Sequence, residues 1–301
     1  MERTLNLSIA DRVAEFENLI KKVLPKNVFY QVVYGKGLEF DGYRDFAFDE
    51  DSTSIDWKAT IRNSGKLLAR KYIEERDLKI SFLIDISDNM IFGSTEKLKC
   101  EYAAELIAAL SHVILIAGDR VGFIFFNNEI VKIREPAMGN KQFNILQQEL
   151  SDPLNYGGFS DLNKVLEITM SRLDKSTNLV FIVSDFLKIN QKTKEILNSF
   201  SALFETIAII VRDPLDISFP DLDKEIVIED DHDNKLIINP HVAKNIYEQN
   251  SLEQTMFMRT IFRDAGIDFM EFRTDEHFAI NLAEFLKERT KRRVYKKQDV
   301  H

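Results

Sequence analysis

From Leu78 onward the chain alternates short, almost wholly apolar runs with longer amphipathic stretches, and few folds accommodate that rhythm. Ile80-Ser81-Phe82-Leu83-Ile84, residues 121–126, Leu179-Val180-Phe181-Ile182-Val183 and Thr206-Ile207-Ala208-Ile209-Ile210-Val211 are near-continuous apolar runs. Strands covered on both faces have that character. Between them, helical spacing predicts helices over 95–117, 140–150, 161–173 and 190–201. The first would bury a stripe of Leu98, Tyr102, Leu106, Leu110 and Ile114. A return strand at 129–133, after a turn at Asn127-Asn128, would make one edge antiparallel. A strand at 267–272 and a helix at 276–290 close the series. Strands alternating with helices predict an α/β fold: a doubly wound, mostly parallel sheet with one antiparallel edge strand.

The flanking regions read differently. Residues 1–77 are expected to form an N-terminal helix (9–23) and a β-containing layer. Its strands are placed at 27–34, punctuated by Gly35 and Gly37, and at 66–74, with an irregular acidic stretch, 45–56, between them. The sheet domain spans 78–290. At about 212–240 it carries an inserted hairpin, Ile226-Val227-Ile228 against Leu236-Ile237-Ile238, with a polar tip, and a long helix follows at 241–263. Residues 291–301 read as a basic, frayed tail. Trp57, the only tryptophan, is expected to be buried, locking the N-terminal layer to the sheet with Asp56 paired to Arg44, Arg62 or Arg70.

Composition excludes several function classes. A net charge of -9 argues against a nucleic-acid surface. A lone cysteine, Cys100, rules out an internal disulfide and a cysteine-based zinc site. No stretch of about 20 residues is apolar enough to span a bilayer, and the N-terminus lacks a signal-peptide core. These features point to a cytoplasmic protein. No phosphate-binding glycine loop follows a strand, so no nucleotide or other small-molecule substrate is expected. The five histidines lack metal-ligand spacing.

Chemistry concentrates at the ends of the strands. Asp85-Ile86-Ser87-Asp88-Asn89 follows the first, Ser184-Asp185-Phe186 follows the strand at 179–183, and Tyr156-Gly157-Gly158-Phe159-Ser160-Asp161 lies between them. Ligands of open α/β sheets bind at that carboxyl edge. Carboxylates and hydroxyls delivered there form an oxygen-only donor set, suited to a hard cation such as Mg²⁺. The same Asp and Ser residues are also ordinary helix N-caps.

Together, Asp85-x-Ser87-x-Asn89, Ser160 and Asp185 resemble the metal-ion-dependent adhesion site of von Willebrand factor A domains. Arg44, Ile55-Asp56-Trp57-Lys58-Ala59-Thr60, Arg70-Lys71-Tyr72, Glu75-Arg76, Gly118-Asp119-Arg120-Val121-Gly122 and Arg212-Asp213-Pro214 extend the likeness. Over roughly residues 30–290 the ordered set resembles the bacterial domain-of-unknown-function family fifty-eight, associated with MoxR-type AAA+ ATPases. The resemblance implies a von Willebrand factor A-like fold and a Mg²⁺ or Mn²⁺ site. Asp85 would anchor the cation through water, and Ser87 and Ser160 would supply hydroxyls. Asp185 would act through water or by orienting a serine. Asn89 stands where the family usually has Ser. Two carboxylates would leave the cation under-neutralised and open to a partner's carboxylate.

The function implied is a non-enzymatic, protein-binding adaptor for a MoxR-type ATPase or its client, in chaperone-like maturation. The alternatives are a scaffold with a vestigial metal site and a Mg²⁺-dependent phosphatase using Asp85 as nucleophile. Such a phosphatase places a second Asp two residues on, where this chain has Ser87.

Overall fold

The computed structural model describes residues 4–23, 39–46, 55–62, 66–73, 78–219, 226–229, 235–238 and 240–296. Its centre is a six-stranded sheet: β3 (Lys79–Asp85), β4 (Arg120–Phe126), β5 (Ile130–Ala137), β6 (Leu179–Ser184), β7 (Thr206–Arg212) and β10 (Asp268–Arg273). Their order across the sheet is β10-β7-β6-β3-β4-β5, parallel throughout except for β5, which pairs antiparallel with β4. The expected doubly wound sheet and its antiparallel edge are both present. β5 runs on through Pro136, a residue that an edge strand tolerates because its missing N–H need not face a neighbour.

Alternation along each strand sends side chains to two cores. Phe82 and Ile84 of β3, Phe123 and Phe125 of β4 and Phe181 and Val183 of β6 face one layer. Phe82 and Phe181 stack there at 5.0 Å. That layer holds helices α1 (Ile9–Val23), α3 (Lys99–Ile116), α4 (Gly139–Ser151) and α9 (Phe278–Lys296). Leu83, Ile124, Phe126, Val180 and Ile182 face the other, filled by α5 (Leu162–Arg172), α6 (Gln191–Leu203) and α8 (Pro240–Asp264). Helix α9 continues into the segment read as a tail.

Helix α1 lies in the first core. Ile9, Val13, Phe16 and Ile20 are buried, and Phe16 packs against Phe278 of α9 at 6.5 Å. Two carboxylates in the largely apolar α3 serve this docking. Glu101 accepts from the backbone N–H of Asn6, and Glu105 from that of Ser8, both at 2.5 Å. Buried carboxylates thus take up amides at the helix entry that lack intrahelical partners.

Two small antiparallel sheets accompany the main one. β1 (Glu39–Asp45) pairs with β2 (Leu68–Ile73), and β8 (Ile226–Glu229) pairs with β9 (Lys235–Ile238) as the inserted hairpin. β1 falls in sequence that suggests no strand: it is polar, contains Gly42 and shifts register between Phe40 and Gly42. Trp57 corrects another expectation. It opens the short helix α2 (Trp57–Arg62) and is 61% exposed. Asp56 is buried beneath it, accepting from the N–H groups of Lys58 and Ala59 as an N-cap. The strand expected at 27–34, most of the acidic stretch, Glu75-Arg76, the hairpin tip at 230–234 and residues 297–301 lie outside the described residues.

If α1 is integral to the sheet domain, Phe16→Ala should lower the stability of the whole domain by about 3–5 kcal/mol. Urea unfolding should then show one transition displaced as a unit. A transition unchanged in midpoint would show that α1 contributes nothing to the core.

Candidate functional site at the carboxyl edge of the sheet

β3 lies between β4 and β6, so its last residue, Asp85, is under cover from both neighbours and only 2% exposed. Its carboxylate is held on three sides. Oδ1 accepts from the N–H of Ser87 at 3.0 Å. Oδ2 accepts from the hydroxyls of Ser184 at 2.6 Å and Ser160 at 3.4 Å. Burial, and next the nearby charge of Asp185, raise the Asp85 pKa from its ordinary 3.8 to about 6, against the pull of these hydrogen bonds.

Ser160 reaches Asp85 because two glycines bend its loop over the first one. Gly157 and Gly158 have φ of 139° and 89°, conformations that side chains disfavour. Gly157 N–H donates to the carbonyl of Ile86, and the Gly158 carbonyl accepts from Asp88 N–H, both at 2.8 Å. A Cβ on Gly158 would sit 2.7 Å from the Asn127 side chain, whose amide donates to the Gly157 carbonyl. These glycines serve loop-on-loop packing.

The structure brings all five sequence-derived residues to this edge. Asp85 and Ser87 are buried in it and Ser160 touches Asp85. Asn89, half-buried, lines a cleft of about 150 Å³ with Ser160, Ser184 and Asp185. Asp185 is buried but turned aside. Its Oδ1 accepts from Leu187 N–H at 3.1 Å, and its Oδ2 lies 2.8 Å from the ammonium of Lys99. Phe186 between them takes a left-handed φ of 51°, with its ring edge-on to Phe262 at 5.0 Å. Such a backbone persists in a bulky residue only where packing enforces it.

One polar atom indicates what the edge can hold. The Ser87 hydroxyl is buried and makes no well-formed hydrogen bond among the described residues, though it lies close enough to the Asp85 carboxylate to lower that group's pKa. A buried hydroxyl without a partner is costly, and a cation ligated by its lone pairs would relieve it. Asp85, Ser87 and Ser160 therefore suit a hard cation. Yet no grouping of three or more His, Cys, Asp or Glu suited to a metal exists among the described residues. The donor set depends on hydroxyls.

Sequence reasoning missed three participants. Ser184 was visible as the residue before Asp185. Lys99 and Asp216 were not, because their approach depends on tertiary structure.

Comparisons with known proteins agree with the fold. The family model described as "Protein of unknown function DUF58" matches residues 42–255. The "Uncharacterized protein Rv1480" of Mycobacterium tuberculosis is 25% identical over 86% of this chain and 81% of its own. A "von Willebrand factor type A" structure from Catenulispora acidiphila superposes with a TM-score of 0.41 and 12% identity, over 75% of this chain and 44% of that one. An "aerotolerance-related membrane protein" from Bacteroides fragilis gives 0.44 and 13%, over 71% of this chain. At these identities the likeness is one of overall fold alone. The cytoplasmic expectation is corrected: a chain described as a membrane protein is among those similar in fold. No helix among the described residues is long and apolar enough to cross a membrane, which does not assign a compartment.

Two outcomes test this geometry. Asp85 is easier to ionise unfolded than folded, so it opposes folding above pH 6, and the penalty vanishes below about pH 4. In EDTA, Asp85→Asn should therefore stabilise the protein at pH 7.5 by up to about 3 kcal/mol, a shift of roughly two units at 1.36 kcal/mol each. The gain should be gone at pH 4; a gain of equal size at both pH values would refute the assignment. Gly158→Ala should destabilise by about 1–3 kcal/mol through backbone strain. An unchanged thermal midpoint would show that the two loops are not packed as described.

Proposed function

We propose that this chain, which belongs to the DUF58 family, is a non-enzymatic protein-binding adaptor whose carboxyl-edge site receives a carboxylate from a partner protein. The carrying observation is the buried Ser87 hydroxyl, which makes no well-formed hydrogen bond, beside the Asp85 carboxylate. A Mg²⁺ or Mn²⁺ held by Asp85, Ser87 and Ser160, with Asn89 in reach of the same cleft, would supply positive charge to an incoming carboxylate. The chain's own groups prepare that encounter. Ser184 and the Ser87 amide fix the Asp85 oxygens, and the Gly157-Gly158 turn holds Ser160 against them.

The partner class we favour is a MoxR-type AAA+ ATPase or its client, on the family resemblance carried by the ordered motifs. A scaffold with a vestigial site is the second reading, favoured by the Lys99 ammonium on Asp185. For a phosphatase, the residue two beyond Asp85 is Ser87, which offers no carboxyl acid.

Immobilised protein should capture a MoxR-type ATPase in Mg²⁺, release it in EDTA, and lose capture at least tenfold in Asp85→Ala. Capture indifferent to both EDTA and the substitution would exclude a metal-bridged contact.

A further inference from the structure

Lys99 is the first residue of α3, 1% exposed, and the chemistry of its position is unusual. The first turn of a helix exposes N–H groups and carries partial positive charge, so it disfavours a cation. A lysine stem can ordinarily carry its ammonium out to water. Here it does not. Nζ lies 2.8 Å from Asp185 Oδ2 and 3.0 Å from Asp216 Oδ2, with the Phe92 ring centroid at 5.7 Å.

The two carboxylates arrive from separate strand ends. Asp185 directly follows β6. Asp216 lies in the short helix α7 (Pro214–Ile217) after β7, where its Oδ2 also accepts from the N–H of Asp213 at 2.9 Å. The ammonium therefore stands where carboxylates of this edge converge, which is where a divalent ion would be drawn. Asp185 is fully engaged, one oxygen by the Leu187 amide and the other by Lys99. Asp85 is engaged only by hydroxyls and an amide.

We infer that Lys99 is a built-in cation that competes with metal for Asp185 and so sets the affinity of the edge for divalent ions. This rests on reading the edge as a cation site. With the ammonium in place, an entering ion meets Asp85 and the hydroxyls, but finds Asp185 neutralised and a like charge beside it. With the ammonium gone, Asp185 becomes a second anionic donor. The resident lysine makes the site weak for free metal. A partner's carboxylate, contributing charge of its own, would then decide whether the ion is retained.

The test is calorimetric titration of Mn²⁺ and Mg²⁺ into wild type, Lys99→Met, and the double variant Lys99→Met/Asp216→Asn. The double variant removes one charge of each sign. It leaves net charge unchanged and no extra buried carboxylate, so it covers the case where the single variant does not fold. Both variants should bind Mn²⁺ at least tenfold more tightly than wild type, and adding Asp85→Ala should abolish the binding. Equal affinity in wild type and the double variant overturns the role of Lys99 and leaves the cation reading standing. A gain in the single variant alone also overturns it, because added negative charge then explains the effect. Binding by none of the proteins overturns both. Binding by the variants but not by wild type supports the inference, the resident ammonium then excluding free metal until a partner's carboxylate adds its charge.

Discussion

A carboxylate buried at the end of the central strand is the constraint around which the functional edge is built. β3 is flanked by β4 and β6 and sandwiched between two helical layers, so nothing at its carboxyl end reaches bulk water easily. Placing Asp85 there is expensive in desolvation, and its raised pKa records that cost. The neighbouring groups are arranged around it: Ser184 from β6, the Ser87 amide from its own loop, and Ser160 from a loop that two glycines bend into place. A structure selected for stability alone would more simply place an apolar residue at position 85. Retaining a carboxylate that opposes folding of the unliganded domain supports the proposed role of Asp85 in binding.

Much of the fold was legible because its strands are covered on both faces. Continuous apolar runs such as Thr206 to Val211 have few other destinations, and the helices between them carry one-sided patterns. The N-terminal layer was harder, for identifiable reasons. β1 is polar, interrupted by Gly42, and pairs through a bulge, so no alternation marks it. Trp57 misled because size and rarity suggest burial, whereas the helix it opens buries Ala59 and Thr60 and turns the indole outward. Asp85, Ser87, Asn89 and Asp185 stood out in the loops that follow strands, and Ser160 behind a glycine pair in a loop between helices. Lys99 was not, because nothing local distinguishes a lysine that pairs with two distant carboxylates from one that points into solvent.

The segment joining β3 to α3 organises the region. Ser94 donates through both its amide and its hydroxyl to Asp213, at 2.7 and 2.5 Å, and Thr274 at the end of β10 donates to the same carboxylate at 3.3 Å. Those hydrogen bonds hold Asp213 ionised, its pKa below the ordinary value even against burial, the largest opposing influence. Lys97 bridges the Asn6 carbonyl and Glu105, tying the same segment to the entry of α1. The start of α3, and Lys99 with it, is therefore fixed from both sides.

On the proposed reading, this arrangement would let an acidic chain receive an acidic partner. Net charge of -9 repels carboxylates at long range, but within a Debye length of about 8 Å the local balance governs. At this edge the carboxylates of Asp85, Asp161, Asp185 and Asp216 outnumber the ammonium groups of Lys99 and Lys188, so the free site is itself acidic and a carboxylate alone would not be attracted. Attraction requires added positive charge. A divalent ion supplies it only when Asp85 and the incoming group together outweigh the like charge of Lys99. Ion and partner would then bind each more strongly in the presence of the other, by the reciprocity any linked equilibrium imposes. Recognition built this way discriminates against free metal and against lone acidic peptides, since neither alone satisfies the edge.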